Sequence, residues 1–180
     1  MEYIRNNKNY IIITIFIMFI SCMPFMNDFL LKGHDIGFHL GRIEGLAISI
    51  SNGDFLGRIN PVNVYGTASG IMYPQFFIYI PAFLRLLGVS LINVYKLFVF
   101  IINLATFVIS YIAFKNIFRL EEKYIAVLAA AFYVLGLYRL TTIYRRAAIG
   151  EILGMAFLPL LLWGMYELFA GDEKKWWIAV

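Results

Sequence analysis

Charged residues are scarce in this sequence. Asp, Glu, Lys and Arg make up 14% of its 180 residues and apolar residues make up 62%, whereas a typical soluble domain has about 25% charged residues. A soluble protein of this size needs more charge to cover its surface, and an intrinsically disordered chain has far fewer apolar residues. The composition therefore excludes both classes and predicts a membrane protein.

The sequence has a single cysteine and lacks the common catalytic sequence motifs. Cys22 is the single cysteine, which excludes an internal disulfide framework and a zinc cluster made of cysteines. The sequence has no P-loop, no HExxH zinc motif, no GxSxG nucleophile motif and no dinucleotide-binding glycine motif.

The apolar residues come in blocks separated by short polar stretches, as insertion into a membrane requires. We predict an all-α fold, a polytopic transmembrane helical bundle in a single domain, 1–180, with four spans: 10–26, 90–114, 124–138 and 152–169. The first block also has the outline of a signal peptide, but no small-x-small cleavage site follows it, which favours an uncleaved span. The segment 73–88 is shorter than the roughly 20 apolar residues that a span needs, so we interpret it as interfacial or re-entrant. If it crossed the membrane, the orientation of everything after it would be inverted.

The Lys and Arg residues lie between the apolar blocks and not along one helix face, which indicates membrane topology and contact with membrane lipids, and no nucleic-acid partner. Compact basic flanks near the span ends predict a multi-pass protein of the cell membrane with a cytoplasmic N-terminus. The outer loops are then 27–89 and 139–151. Within the first, 36–51 has apolar residues at helical spacing, which predicts a helix on the membrane surface. The final Trp-Trp-Ile-Ala-Val, 176–180, is typical of the start of another span, so we expect a longer chain.

A first polar group lies in the predicted outer loop 27–89. If a helix begins at Asp35, the side chains of Asp35, His39 and Arg42 lie on one face. A carboxylate and an imidazole at this spacing can bind a divalent metal or act as a general base. The simpler interpretation is a helix cap at Asp35 with two side chains that contact lipid headgroups. A D-x-x-x-H pattern by itself agrees with either interpretation.

A second polar group follows in the loop 139–151. Two adjacent arginines, Arg145 and Arg146, lie on the side of the membrane that is usually poor in them, and the guanidinium fork is suited to phosphate. Glu151 stands at the mouth of a span, where an unpaired carboxylate is costly. It either pairs with one of these arginines or helps them to dock a phosphate-bearing lipid or substrate. Arg139, at the start of the loop, is interpreted as interfacial.

These motifs, taken with Tyr73-Pro74, give the strings D-x-x-F-H-x-x-R, Y-P and Y-R-R-A-x-x-G-E in chain order. The arrangement resembles the GT-C superfamily of membrane glycosyltransferases. More narrowly it is similar to the YfhO-like bacterial proteins and to the group labelled "6-pyruvoyl-tetrahydropterin synthase-related membrane domain". The resemblance covers nearly the whole chain in layout but few residues in motif, and this chain would be the N-terminal part of such a protein.

The resemblance implies transfer of a sugar from a polyprenyl-phosphate donor on the outer face of the membrane. Asp35 would then be the catalytic base or a ligand of a divalent metal, Mg²⁺ or Mn²⁺, with His39 assisting it. The donor phosphate would be held by Arg145 and Arg146, with Arg42 and Glu151 in support. The alternative is a non-catalytic membrane protein that handles lipids or cell-envelope polymers. A transporter is less favoured, because the spans carry almost no ionisable residues near their middles.

Overall fold

The computed structural model describes residues 8–30, 32–62, 65–119 and 123–179. The α-helices are α1 (Lys8–Cys22), α2 (Ile36–Ser51), α3 (Ser69–Met72), α4 (Tyr79–Leu86), α5 (Leu91–Ile117), α6 (Lys123–Val134), α7 (Leu137–Thr141) and α8 (Ile149–Ala170). The described residues also form three 3₁₀ helices, Met23–Phe25, Phe76–Ile78 and Glu173–Ala179, and a π-helix, Thr142–Arg146. No β-strand occurs among the described residues, where Asn60 and Thr67 form one isolated bridge. The all-α prediction is confirmed.

Two helices, α5 and α8, are long and apolar enough to cross a membrane. A third crossing results if α6 and the segment Leu137–Arg146 form one span, and these two are bent by 42° relative to each other. The first span was predicted at α1. Together with the 3₁₀ helix that follows it, α1 forms the apolar helix Asn9–Phe25, which is shorter than α5 and α8. The described residues therefore contain two or three candidate spans, compared with the four predicted. Phe76–Leu86, within the segment predicted to be interfacial, is also a short apolar helix.

The bend after α6 has a local cause. Gly136 has extended backbone angles, which stop α6 and start α7 in a new direction. The π-helix that follows ends at Ala147, which has a left-handed φ of 57°, a conformation that non-glycine residues seldom adopt. The predicted loop 139–151 is therefore mostly helical, and the predicted span 124–138 does not run straight to its end.

The core lies on both sides of α5, which packs against α6 and α8. Toward its N-terminal end, Tyr95 and Phe98 are fully buried against Ile43 of α2 and Ile149 of α8. Toward its C-terminal end, Phe107 joins a second cluster with α1 and α6. The outer surface keeps many large apolar side chains exposed, for example Phe132, Leu137 and Phe169. Such a surface is compatible with insertion into lipid.

The segment between α2 and α4 packs closely on α2. The side chain of Asn60 is buried and donates to the Gly41 carbonyl at 3.0 Å. It lies so close to Gly45 that a Cβ at that position would fall 1.9 Å from the Asn60 Oδ1 atom. Glu44 of α2 binds Arg85 of α4 through two hydrogen bonds, of 2.6 and 3.2 Å. These contacts hold the long polar segment against the helix that carries the first motif.

Arg139 is buried, with only 3% of its surface exposed. The sequence suggested an interfacial position for this residue. Its guanidinium donates to Asn103 Oδ1 at 2.6 Å and to Thr106 Oγ1 at 2.8 Å, both on α5. These two hydrogen bonds connect α7 to the middle of α5.

The described C-terminal segment is helical and lies beside α8. Glu173–Ala179 forms a 3₁₀ helix that packs against α8, whereas Val180 lies outside the described residues. Glu167 of α8 accepts hydrogen bonds from the Trp163 indole at 2.9 Å and from the Asp172 main chain at 2.8 Å.

Candidate functional site

Main-chain hydrogen bonds join the two polar motifs. The amide of His34 donates to the Arg145 carbonyl at 3.1 Å, and the amide of Asp35 donates to the Arg146 carbonyl at 2.9 Å. The two segments can approach so closely because residue 33 is glycine. A Cβ at that position would fall 2.7 Å from the Cβ of Ala147. Segments more than 100 positions apart in the sequence therefore form one unit.

A cavity of about 520 Å³ opens beside this junction, a volume within the usual range for small-molecule sites. Its walls come from α2, from the segment around Tyr73 and from the first turn of α8. Four of the six predicted site residues line it: Asp35, His39, Arg42 and Glu151. The fold thus brings polar groups of both motifs to one concave surface.

Asp35 occupies the position before the first residue of α2, as predicted for a helix cap. Its main-chain carbonyl accepts from the His39 amide at 3.0 Å, but its carboxylate makes no capping hydrogen bond. The side chain is exposed on the cavity wall. The carboxylate is therefore not used by the helix and faces the space where a ligand would sit.

His39 is buried, and its ring connects α2 to α8. The main-chain amide of Ile149, the first residue of α8, donates to His39 Nε2 at 3.3 Å. Nε2 is then unprotonated, so a neutral ring carries its proton on Nδ1. Nδ1 is buried and has no hydrogen-bond partner among the described residues.

Electrostatics also favour the neutral ring of His39. Burial, with a smaller contribution from the nearby Arg42, lowers the pKa of His39, Asp35 acts in the opposite direction, and the net result is a pKa of about 4. At neutral pH the imidazole is therefore uncharged, and its Nδ1–H is a hydrogen-bond donor. This geometry suits a group that orients a ligand better than a group that takes a proton.

Arg42 is the buried cation of the cavity. Its guanidinium carbon lies 5.7 and 5.3 Å from the ring centroids of Phe38 and Tyr73, two rings that also contact each other, and the guanidinium donates to the Pro74 carbonyl at 2.8 Å. Burial lowers the pKa of Arg42, and the proximity of Tyr73 opposes that shift. A guanidinium has five N–H donors, and the Arg42 guanidinium donates a single hydrogen bond to the described part of the protein. Its other donors are suited to an anionic oxygen.

Arg146 and Glu151 form the ion pair that the sequence suggested, with Nη1 and Oε2 2.6 Å apart. The Tyr138 hydroxyl donates to the same carboxylate and accepts from Arg146 at 3.3 Å. Arg145 is exposed, and its side chain makes no ion pair within the described part of the protein. Arg146 therefore lies at the rim beside Glu151, and Arg145 lies outside the cavity wall.

The structure gives Arg42 and Tyr73 a larger part than the sequence did. The sequence placed Arg42 among the supporting residues, whereas in the fold it is the cation inside the cavity. The signal that could have identified it is the pairing of F-H-x-x-R with the Y-P dipeptide, since the aromatic residues of both motifs contact the guanidinium. The spacing of the two motifs along the sequence does not show that Tyr73 comes close to Arg42 in the fold.

The residues of the cavity do not form a metal site by themselves. Among the described residues, no three His, Cys, Asp or Glu side chains come together in a way that could hold a metal ion. The Nε2 atom of His39 accepts from Ile149, and Glu151 is engaged with Arg146. Mg²⁺ is commonly held by one or two carboxylates together with substrate phosphates, so the role of Asp35 as a ligand of Mg²⁺ or Mn²⁺ stays a prediction.

Comparison with known proteins identifies a relative with low sequence identity. The chain is similar to a protein of Lactococcus lactis subsp. cremoris that is described as uncharacterized, with 25% identity over 171 residues. The match covers 92% of this chain and 28% of that protein, so the chain spans less than a third of its relative's length. No protein-family description matches the sequence, and no solved structure matches it.

Proposed function

We propose that this chain is the outer-face catalytic part of a GT-C-type membrane glycosyltransferase, related to the YfhO-like group, that uses a polyprenyl-phosphate-linked sugar. In this proposal the protein is a multi-pass bundle in the cell membrane with a cytoplasmic N-terminus. The helices α2 to α4 then lie at the outer interface in the first outer loop. The observation that carries the proposal is the cavity itself, which is lined by both the Asp35 carboxylate, not used to cap the helix, and the buried guanidinium of Arg42.

The chemistry follows from these two groups. Asp35 accepts the proton of the acceptor hydroxyl while that oxygen attacks the anomeric carbon of the sugar. The bond from the anomeric carbon to the phosphate oxygen breaks, and its electron pair leaves with the polyprenyl phosphate. Arg42 donates hydrogen bonds to the leaving phosphate and offsets its growing negative charge. The proton remains on Asp35 until it is released to water.

The remaining site residues bind and orient in this scheme. His39 presents Nδ1–H as a fixed donor, because Ile149 occupies its other nitrogen. Arg146, positioned by Glu151, and the exposed Arg145 attract the donor phosphate at the rim. A divalent metal, when bound, would add further neutralisation of phosphate charge. None of the steps above depends on it.

The test compares Asp35→Asn with Asp28→Asn, an exposed acid in the same loop that does not line the cavity. Each variant replaces the natural protein in its host, and the envelope glycans are profiled by mass spectrometry. We expect Asp35→Asn to reduce the glycan product by about 100-fold or more, the usual effect of losing a general base, and Asp28→Asn to leave it unchanged. An unaltered glycan profile with stably inserted Asp35→Asn protein would refute the catalytic role.

One observation favours a non-catalytic alternative, in which the protein handles lipids or cell-envelope polymers. Arg146, Glu151 and Tyr138 satisfy one another without a ligand, as expected of a group that only stabilises the start of α8. In that case Asp35→Asn would be silent, and a Glu151→Gln variant would reduce stability without changing any glycan.

A further inference from the structure

A second cavity, of about 460 Å³, lies between α1, α5 and α6. It is toward the C-terminal end of α5, whereas the candidate site is near the N-terminal end, and the two share no lining residue. Nothing in the proposed glycosyl transfer uses this groove.

The groove is polar at one end and apolar along its length. On α5, Phe107, Tyr111 and Lys115 follow one another at four-residue intervals, which places them on one face. At 1.5 Å per residue, Lys115 lies about 12 Å along the helix from Phe107. On α6 the order along the chain is reversed, with Lys123 first and Val127 four residues later. The ammonium groups are thus at the helix ends, and the apolar side chains are deeper.

The opposite wall is α1, which contributes Ile11, Thr14 and Ile15. Thr14 turns its hydroxyl to the Tyr10 carbonyl at 2.8 Å, so it presents its methyl group to other neighbours. At the polar end, the ammonium of Lys123 lies 5.6 Å from the centroid of the Tyr10 ring. A groove with these walls is suited to a hydrocarbon chain whose anionic head meets Lys115 and Lys123.

We propose that this groove is a binding site for an anionic phospholipid, with one acyl chain between α1, α5 and α6 and the phosphate between Lys115 and Lys123. Charge complementarity selects the headgroup, because each basic residue near an anionic membrane surface adds about 1 kcal/mol of attraction. The apolar walls favour a lipid over a water-soluble phosphate, because such a phosphate has no hydrocarbon chain to place between α1, α5 and α6.

The test measures lipid binding to the purified full chain by native mass spectrometry, with dioleoyl-phosphatidylglycerol as the probe. We expect Lys115→Gln and Lys123→Gln each to raise the Kd about fivefold, and the double variant to raise it about 25-fold, as the attraction per basic residue implies. The matched control is Lys174→Gln, which removes an exposed lysine away from the groove and should leave the Kd unchanged. Dioleoyl-phosphatidylcholine should bind the natural protein and the double variant equally.

Two further measurements distinguish binding of the whole lipid from binding of its headgroup alone. Glycerol 3-phosphate, which carries the charge without the acyl chains, should not displace the lipid at equal concentration. Ile15→Trp, at an exposed position of the wall, should narrow the groove and weaken binding while both lysines stay in place. The proposal fails if the double variant keeps the full affinity, if Lys174→Gln weakens binding as much as Lys115→Gln, or if glycerol 3-phosphate competes as well as the lipid.

Discussion

The buried imidazole of His39 makes the stability of the protein depend on pH in a way that can be calculated. Its pKa is lowered to about 4 in the folded protein, compared with about 6.5 in the unfolded chain. Between these two values the unfolded state binds more protons than the folded state, so acidification favours unfolding. The stability that the neutral ring provides is fully present above pH 6.5 and is lost as the pH falls toward 4.

The size of this effect follows from the two pKa values. From about pH 7.5 to about pH 5, titration of one histidine with this shift removes about 2 kcal/mol from the free energy of unfolding. For a protein of this length, each kcal/mol corresponds to about 2 to 4 °C in the midpoint of thermal unfolding. His39 alone should therefore lower that midpoint by about 4 to 8 °C over this pH interval.

The assay follows thermal unfolding by circular dichroism in detergent micelles at the two pH values. His39→Gln keeps an acceptor for the Ile149 amide but does not titrate, so its midpoint should fall less on acidification than that of the natural protein, by the difference calculated above. His34→Gln is the matched control, because His34 is exposed, and it should show the same pH dependence as the natural protein. If His39→Gln and the natural protein lose equal stability on acidification, the pKa of His39 is not lowered in the folded protein.

Two packing predictions accompany this one. Gly45→Ala should lower the free energy of unfolding by about 1–3 kcal/mol, because its Cβ would collide with Asn60, whereas Gly41→Ala, with no atom within 4 Å of the new Cβ, should raise it by about 0.5–1 kcal/mol. Chemical unfolding of the two variants would show the opposite signs, and equal signs would contradict the packing described for α2. Asn103→Leu should cost about 1–3 kcal/mol by removing an acceptor from buried Arg139. A loss below about 0.5 kcal/mol in the same unfolding assay would mean that Arg139 does not depend on this contact.

Local pattern predicted the elements well where one face of a helix is apolar. The segment 36–51 was predicted as a helix, and α2 has the same bounds, Ile36–Ser51, because its apolar residues recur at the period of a helix over four turns. Span 124–138 was less accurate, since the break at Gly136 and the π-helix depend on how the chain packs against α5 and on main-chain angles that hydropathy does not report.

The candidate site was predictable in its residue types but not in its geometry. Spacing alone placed Asp35, His39 and Arg42 on one face of a helix, and all three line the cavity. The contact of His39 with Ile149 spans 110 positions in the sequence, and no periodic pattern encodes such a long-range approach. The burial of Arg139 was missed for a related reason, because its acceptors, Asn103 and Thr106, lie inside an apolar helix where no charge marks them.

The junction of the two motifs consists of main-chain atoms, with the amides of residues 34 and 35 bound to the carbonyls of residues 145 and 146. Any amino acid except proline supplies such an amide, and every amino acid supplies such a carbonyl. The side chains at these four positions can therefore change while the frame that presents them stays in place. Related chains could evolve preferences for different ligands by exchanging those side chains, provided that the glycine at position 33 is kept.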